Sequence, residues 1–432
     1  MSRFTDKWID DHKDGLVEDL RAALRFASLE GAAEPGKPFG PVVADCLENV
    51  LATGEKLGLA PKNCENYVGC LDAGAGDELL GILAHLDVVP AGGSWDHPAF
   101  GAEIHDGRIY ARGAVDDKGP ALAAIYALAA VKASGAEFRR RVRIILGCNE
   151  ETNMGCLKYY LANEEIPALS FSPDSEYPLT NSEKTILHFT VEKKYASGVS
   201  AAAGEAANIV PDYAEALVKT AGSGVKKLAA KGVTAHGSLP ADGVNAMLKL
   251  FEEMQTVEGI APEDKAVADA FIAAFGGGCN GERLGLDYSD YSGRQTVNPG
   301  VLRWNAEGVK LTVDMRCPTS QKEEVLRAAI EKALPGFEIV KWDFRPGYSI
   351  PEDAEIVTKL LKVFRDRTGL TDAQPKQIGG GTYARELPNA VSFGPEGYMC
   401  ESGVHVANEF IGIDQLVMNC KMLADAIEAL AL

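Results

Sequence analysis

With 432 residues, 46% of them hydrophobic and 24% charged, the chain has the composition of an ordinary globular protein and the length of about two domains. Its 43 basic and 62 acidic residues give a formal charge of -19. That balance argues against nucleic acid or an anionic membrane as a partner, because either would repel it.

The amino terminus, MSRFTDKWIDDHKDGLVEDL, is charged throughout and lacks the apolar stretch of a signal peptide. Residues 121–131 (ALAAIYALAAV) span about half the length a membrane helix needs and predict a packed helix instead. The nine cysteines are scattered, with no C-x-x-C pair, which suits reduced thiols in a cytoplasm rather than a disulfide framework.

Residues 16–30 and 42–59 have the spacing of amphipathic helices. Four short apolar runs follow, at 79–84 (LLGILA), 107–113 (GRIYARG), 142–147 (VRIILG) and 168–172 (ALSFS). Helical segments at 119–134, with Pro120 in the first turn, and at 155–163 separate several of them. Strands alternating with helices predict an α/β domain with a mainly parallel sheet and flanking helices. After Glu183 the pattern changes, and 184–195, 225–235 and 308–316 alternate like half-exposed antiparallel strands. A helix at 355–369 begins a second α/β stretch. The expected organisation is one domain from 1–183 and 349–432, with an α+β domain, 184–348, inserted as a lid.

Each apolar run ends in chemistry. His85 and Asp87 follow the first, Asp116 and Asp117 the second, Glu150 and Glu151 the third, and Asp174 the fourth. Open α/β sheets bind ligands beyond the carboxyl ends of their strands. A dry cluster of that many carboxylates requires metal ions. Histidine with Asp and Glu, and no thiolate, is the donor set of a catalytic site. His85, Asp116, Glu151 and Asp174 exceed the three ligands one such ion takes, which predicts two ions sharing a carboxylate. Strand alternation puts Asp87 on the same side as His85, placed to accept the second imidazole N–H. Of two adjacent glutamates, only one can turn to a given metal, leaving the other free to move a proton. His12, His97, His105 and His188 lack such context and read as structural.

The segments HLDVVPAGGSWDHPAF, IYARGAVDDKGP, GCNEETNMGC and SPDSEYP resemble the signatures of the co-catalytic di-zinc amidohydrolases and peptidases. That family holds aminoacylases, carnosinases and glutamate carboxypeptidases. The likeness continues through ANIVPDYAEA, KGVTAHGSLPADGVNA, GGGTYAREL and GVHVANEF, and among family members it is greatest to bacterial dipeptidase V. The resemblance implies that His85 and Asp174 hold one ion, Glu151 and His405 the other, and that Asp116 bridges them. It implies Glu150 as general base, His236 and Asn208 as donors to the substrate carbonyl, and Arg316 as anchor of the substrate carboxylate. It also implies a cis peptide between Asp116 and Asp117. Residues 378–385 (IGGGTYAR) lack a phosphate-loop pattern, so the amides of Gly380, Gly381 and Thr382 are read as a cradle for that carboxylate. The expected protein is a cytoplasmic dipeptidase acting on short peptides with a free carboxyl terminus. Its cofactors are two divalent ions, zinc first and manganese or cobalt next, and a monomer is favoured over a homodimer. The alternatives are an N-acyl amino acid deacylase or desuccinylase of the same family, and a metal-binding homologue without catalysis.

Overall fold

The computed structural model describes residues 3–222, 224–400 and 403–432. The chain divides into two compact units. One comprises Met1–Asn181, Ile350–Lys376 and Gly381–Leu432, and the other Ser182–Ser349 with Gln377–Gly380.

In the first unit, a mixed sheet runs in the order Ala60–Cys64, Val68–Ala73, Arg141–Gly147, Leu79–His85, Leu169–Ser172 and Ala390–Ser392. The four strands from Arg141–Gly147 to Ala390–Ser392 are mutually parallel, and the two at the other edge are antiparallel. Leu79–His85 is buried along its whole length, as a strand covered on both faces must be. The parallel register pairs His85 with Gly147 and Ile82 with Phe171. Three strands therefore release their chains at one edge, and this alignment positions the site.

The helix Lys118–Ala133 is buried at every residue from Lys118 to Val131. Its alanine-rich surface is apolar all round, the pattern of a helix inside a core, and it packs against the carboxyl-terminal helix Ile413–Ala431. Among the described residues no helix is long and apolar enough to cross a membrane.

The run 107–113 behaves differently from the reading above. Only Arg108–Tyr110 is a strand, and it belongs to a separate three-stranded sheet with Glu103–His105 and Phe410–Gly412. The helix expected to reach residue 30 stops at Leu24. Ser28 is diverted to the end of the His85 strand, where its hydroxyl donates to the Leu86 carbonyl at 2.6 Å and its carbonyl accepts from Val88 N–H. The hairpin Ala60–Cys64/Val68–Ala73 was not anticipated. Its turn places Glu65 and Asn66 at φ 53° and 59°, the left-handed pair that joins strands of right-handed twist.

The second unit is built on a seven-stranded, wholly antiparallel sheet in the order Gly224–Lys231, Tyr213–Thr220, Val199–Ala203, Thr296–Asn305, Gly308–Cys317, Thr185–Lys194 and Glu338–Arg345. Tyr213–Thr220 alternates between exposed and buried, the mark of one wet and one covered face. The covered face carries helices Ala246–Gln255, Pro262–Phe275 and Glu323–Ala333. The strand expected to run to residue 235 ends at Lys231, because Gly232 passes so close to Val244 that a Cβ would lie 1.9 Å from its carbonyl oxygen.

Phe271 is fully buried in this core with its ring 5.3 Å from that of Phe251. Phe271→Ala is expected to destabilise the second unit by about 3–5 kcal/mol through the cavity it leaves. Urea unfolding followed by tryptophan fluorescence measures it, and an unchanged midpoint would contradict this packing.

Candidate metal centre

The three aligned strand ends supply the first half of the site. His85 closes its strand, Glu150 and Glu151 follow Arg141–Gly147 by three and four residues, and Asp174 follows Ser172 by two. His85 is 1% exposed. Its Nδ1–H donates to the Asp87 carbonyl at 2.9 Å, so Nε2 is the nitrogen that would present a lone pair to a metal ion. The bond expected from the Asp87 carboxylate is thus made by that residue's backbone. The carboxylate stands 3.6 Å from Nδ1 because it is occupied elsewhere: one oxygen accepts Glu150 N–H at 3.0 Å and the other Glu151 N–H at 3.1 Å. Asp87 fixes the turn from which both glutamates project.

The segment before Lys118–Ala133 supplies the second half. The Asp116–Asp117 peptide is cis. Asp116 directs one oxygen to His85 Nε2 and the other to His405 Nε2, each at 2.8 Å. His405 Nε2 lies 3.1 Å from Glu151 Oε1, and Asp174 Oδ2 lies 3.8 Å from His85 Nε2. His85, Asp116, Glu151, Asp174 and His405 are therefore brought together, with one carboxylate facing two imidazoles. Asp117 accepts His85 N–H at 3.0 Å through one oxygen. Its other oxygen is buried with no hydrogen-bond partner among the described residues.

The electrostatics follow from burial. It pushes Asp174 up to about 8, helped by the charge of Asp116, and raises Glu150 and Asp117 well above ordinary carboxylates. Burial would raise Asp116 too, but hydrogen bonds from His405 and His85 outweigh it and hold that carboxyl low. His405 is pushed up to about 10 by its bonds to Asp116 and Glu151. Among the described residues, the imidazoles of His85 and His405 are the basic groups paired with these carboxylates. The fit to divalent ions is good: single donor atoms of His85, Asp116 and Glu151, and again of His85, Asp117 and Asp174, lie within 4.8 Å of one another. The donors are nitrogen and oxygen, and one buried oxygen of Asp117 has no hydrogen-bond partner among the described residues.

Several residues that position the site were not singled out by sequence reasoning. Glu409 and Arg112, each 1% or less exposed, pair at 2.6 Å. Glu409 also accepts N–H from Val115 at 2.9 Å, Gly113 at 3.2 Å and Asp116 at 3.3 Å, while Arg112 donates to the carbonyls of Pro90 and Ala91. The pair ties the His85–Asp87 side of the site to the Asp116 segment. The available signal was a charge embedded in each of two otherwise apolar or glycine-flanked stretches, YARG and ANEF. Tyr383 is buried with its hydroxyl 3.0 Å from Cys156 Sγ and its ring edge-on to His85 at 6.3 Å. A Cβ on Gly147 would lie 1.9 Å from that hydroxyl, so only glycine fits there.

Gly381 and Thr382 belong to this unit. The Thr382 hydroxyl caps the turn Tyr383–Glu386 by accepting Ala384 N–H, and it meets Ser392 Oγ at 2.9 Å.

Asn208, His236, Arg316 and Gly380 lie in the second unit. Asn208 and His236 are neighbours there, with Gly237 N–H donating to the Asn208 carbonyl at 2.7 Å. Ser238 N–H donates to His236 Nδ1 at 3.2 Å, so the ring proton sits on Nε2. Arg316 is 4% exposed, grips both oxygens of Asp314 at 2.9 and 3.1 Å and donates to the Gly379 carbonyl. Asp314 also meets His188 at 3.3 Å. His12 stacks on Trp8 at 3.8 Å.

Comparisons with known proteins agree with this picture. The sequence profile of peptidase family M20/M25/M40 matches residues 81–429. A Bacillus subtilis (strain 168) relative named "Putative dipeptidase YtjP" is 35% identical, covering 97% of this chain and 98% of its own. A Staphylococcus aureus (strain MRSA252) protein, "Putative dipeptidase SAR1836", is 31% identical with 98% of each covered. Among solved structures, human carnosine dipeptidase 1 superposes with a TM-score of 0.60 at 16% identity, covering 98% of both chains. Bacillus subtilis YXEP, described as a dinuclear metal binding peptidase, gives 0.57 at 12% identity, covering 98% of this chain and 100% of its own.

Glu409→Gln keeps the shape of the brace and removes its charge. It is expected to weaken divalent-metal binding by about 10–100-fold, the usual effect of losing a group that orients a ligand. Competition against a chromophoric chelator reads this, and an affinity equal to wild type would show that Asp116 is held by other means.

Proposed function

We propose that this chain, which belongs to peptidase family M20/M25/M40 and is a metal-dependent hydrolase, acts as a dipeptidase on peptides with a free carboxyl terminus. The observation that carries the reading is Asp116, with an imidazole 2.8 Å from each oxygen and Asp174 and Glu151 on the two sides. His85, Asp116 and Asp174 would hold one divalent ion, and Asp116, Glu151 and His405 the other, zinc being the first choice for nitrogen and oxygen donors. When bound, such a pair supplies Lewis acidity that activates water and polarises the scissile carbonyl.

The chain's own residues do the rest. Glu150 projects from the turn fixed by Asp87, and burial raises its proton affinity. It takes the proton of the attacking water and delivers it to the departing amine. His236, protonated at Nε2, and Asn208 donate to the oxygen that becomes negative in the tetrahedral intermediate. Arg316 anchors the substrate carboxylate with the N–H groups that Asp314 and Gly379 leave over, and the amides of Gly380, Gly381 and Thr382 add to that anchor. The protein works as a monomer in a cytoplasm, where its nine unbridged cysteines stay reduced.

The main rival, an N-acyl amino acid deacylase, shares the metals and the base but acts on substrates with no free amine. Dipeptides assayed beside N-acetyl and N-succinyl amino acids, with zinc, manganese or cobalt, separate the two. Turnover of dipeptides alone is expected, and preference for acyl substrates would overturn the assignment. Glu150→Gln is expected to lower kcat by about 10²–10⁴-fold with metal content unchanged, and full activity in that variant would remove Glu150 from the mechanism. His236→Ala is expected to cost about 10²–10³-fold, mostly in kcat, as the loss of an oxyanion donor does. A change confined to KM would assign it to binding instead.

A further inference from the structure

His97 and His105 are expected from their sequence context to be structural, yet both turn to the same acceptor. The short strand Glu103–His105 places Glu103 and His105 two apart, so their side chains share a face. It pairs with Arg108–Tyr110 through a tight turn in which Asp106 and Gly107 adopt φ 48° and 73°. His97 packs over this hairpin, its ring 4.0 Å from that of His105 at an interplanar angle of 18°, and 4.5 Å from Tyr110. His97 Nδ1 lies 3.3 Å and His105 Nε2 3.0 Å from the same Glu103 Oε2.

Two imidazole nitrogens and a carboxylate oxygen thus lie within 4.8 Å of one another, and splaying the two stacked rings apart would let both lone pairs meet one ion. Ligand bonds of about 2.0–2.1 Å in a tetrahedron put neighbouring donors roughly 3.3 Å apart. The two contacts to Glu103 already have that length. The group shares no residue with the centre at His85, Asp116, Glu151, Asp174 and His405. Two histidines and one glutamate, with room for water at the partly exposed fourth position, are a zinc-type donor set. Imidazole favours zinc, nickel and copper over magnesium and calcium.

We propose that His97, Glu103 and His105 form a separate binding site for one divalent transition-metal ion, zinc by donor type. The hairpin is held by the strand Phe410–Gly412, which directly follows Glu409. An ion there clamps the sheet from which the Arg112–Glu409 brace emerges, and raises its resistance to unfolding.

Equilibrium dialysis of the full chain against Zn²⁺, with bound metal counted by mass spectrometry, tests the proposal. The double variant His97→Ala/His105→Ala is expected to bind one equivalent fewer than wild type, whatever number the other centre holds. A tenfold excess of Mg²⁺ is expected to leave that difference unchanged. Glu103→Gln, which keeps both imidazoles, is expected to bind the same ion at least tenfold more weakly and decides the matter should the double variant fail to fold. Wild type is also expected to gain thermal stability over the variants as Zn²⁺ is raised past saturation of the other centre. Equal stoichiometry and affinity in wild type and variants would overturn the site. Absence of dipeptide hydrolysis by the wild type, with the one-equivalent difference intact, would count against the dipeptidase reading and leave this site standing.

Discussion

A single carboxylate, that of Asp116, faces two imidazoles at once, and much of the first unit is arranged to keep it there. The two contacts of 2.8 Å require that His85 and His405, 320 residues apart in sequence, stand on opposite sides of one side chain. His85 is delivered by the end of a buried parallel strand. The backbone around Asp116 is gripped by Glu409, whose two oxygens accept three successive or near-successive amides. A buried ion pair such as Arg112–Glu409 contributes little net stability in general, because desolvating both charges offsets their attraction. Its value here is positional: it joins the two backbone segments that carry His85 and Asp116.

The same logic recurs at Asp87. A carboxylate accepting two adjacent amides is a turn clamp, and the turn it clamps carries both Glu150 and Glu151. Their proximity, unfavourable for two ionised groups, is tolerated because one points into the imidazole cluster at His405 while burial favours a proton on the other. In the second unit Asp314 is the corresponding organiser. It meets Arg316 through both oxygens and His188 through one, so the guanidinium is oriented before anything binds it.

The α/β and α+β character of the two halves was legible because hydrophobic periodicity changes at the point where the architecture does. The carboxylates and His85 were legible because each follows an apolar run, and parallel strands in register make such ends neighbours. Local packing was not legible. The run 107–113 reads like the other strands, but a three-residue strand pairing with 410–412 depends on a partner three hundred residues away. Asp87 was assigned the right neighbour through the wrong atoms, since alternation gives the face of a strand and says nothing of which amides reach a side chain first. Glu409 and Tyr383 stayed hidden because their importance lies in long-range contacts with backbone amides and with a glycine, which leave no spacing in the sequence. His97 and His105 likewise looked unrelated until the hairpin brought them to one glutamate.

The meeting of Gly147 and Tyr383 has an evolutionary consequence. The phenol hydroxyl occupies the volume where any side chain at 147 would begin, so the two positions form a lock that opens only if both change together. A larger residue at 147 is viable only alongside a shorter one at 383, and the shorter residue forfeits the ring that stands edge-on to His85. Sequences drifting from this one should therefore hold the glycine and the tyrosine as a linked pair, or abandon both in a single lineage with a rebuilt wall behind the imidazole.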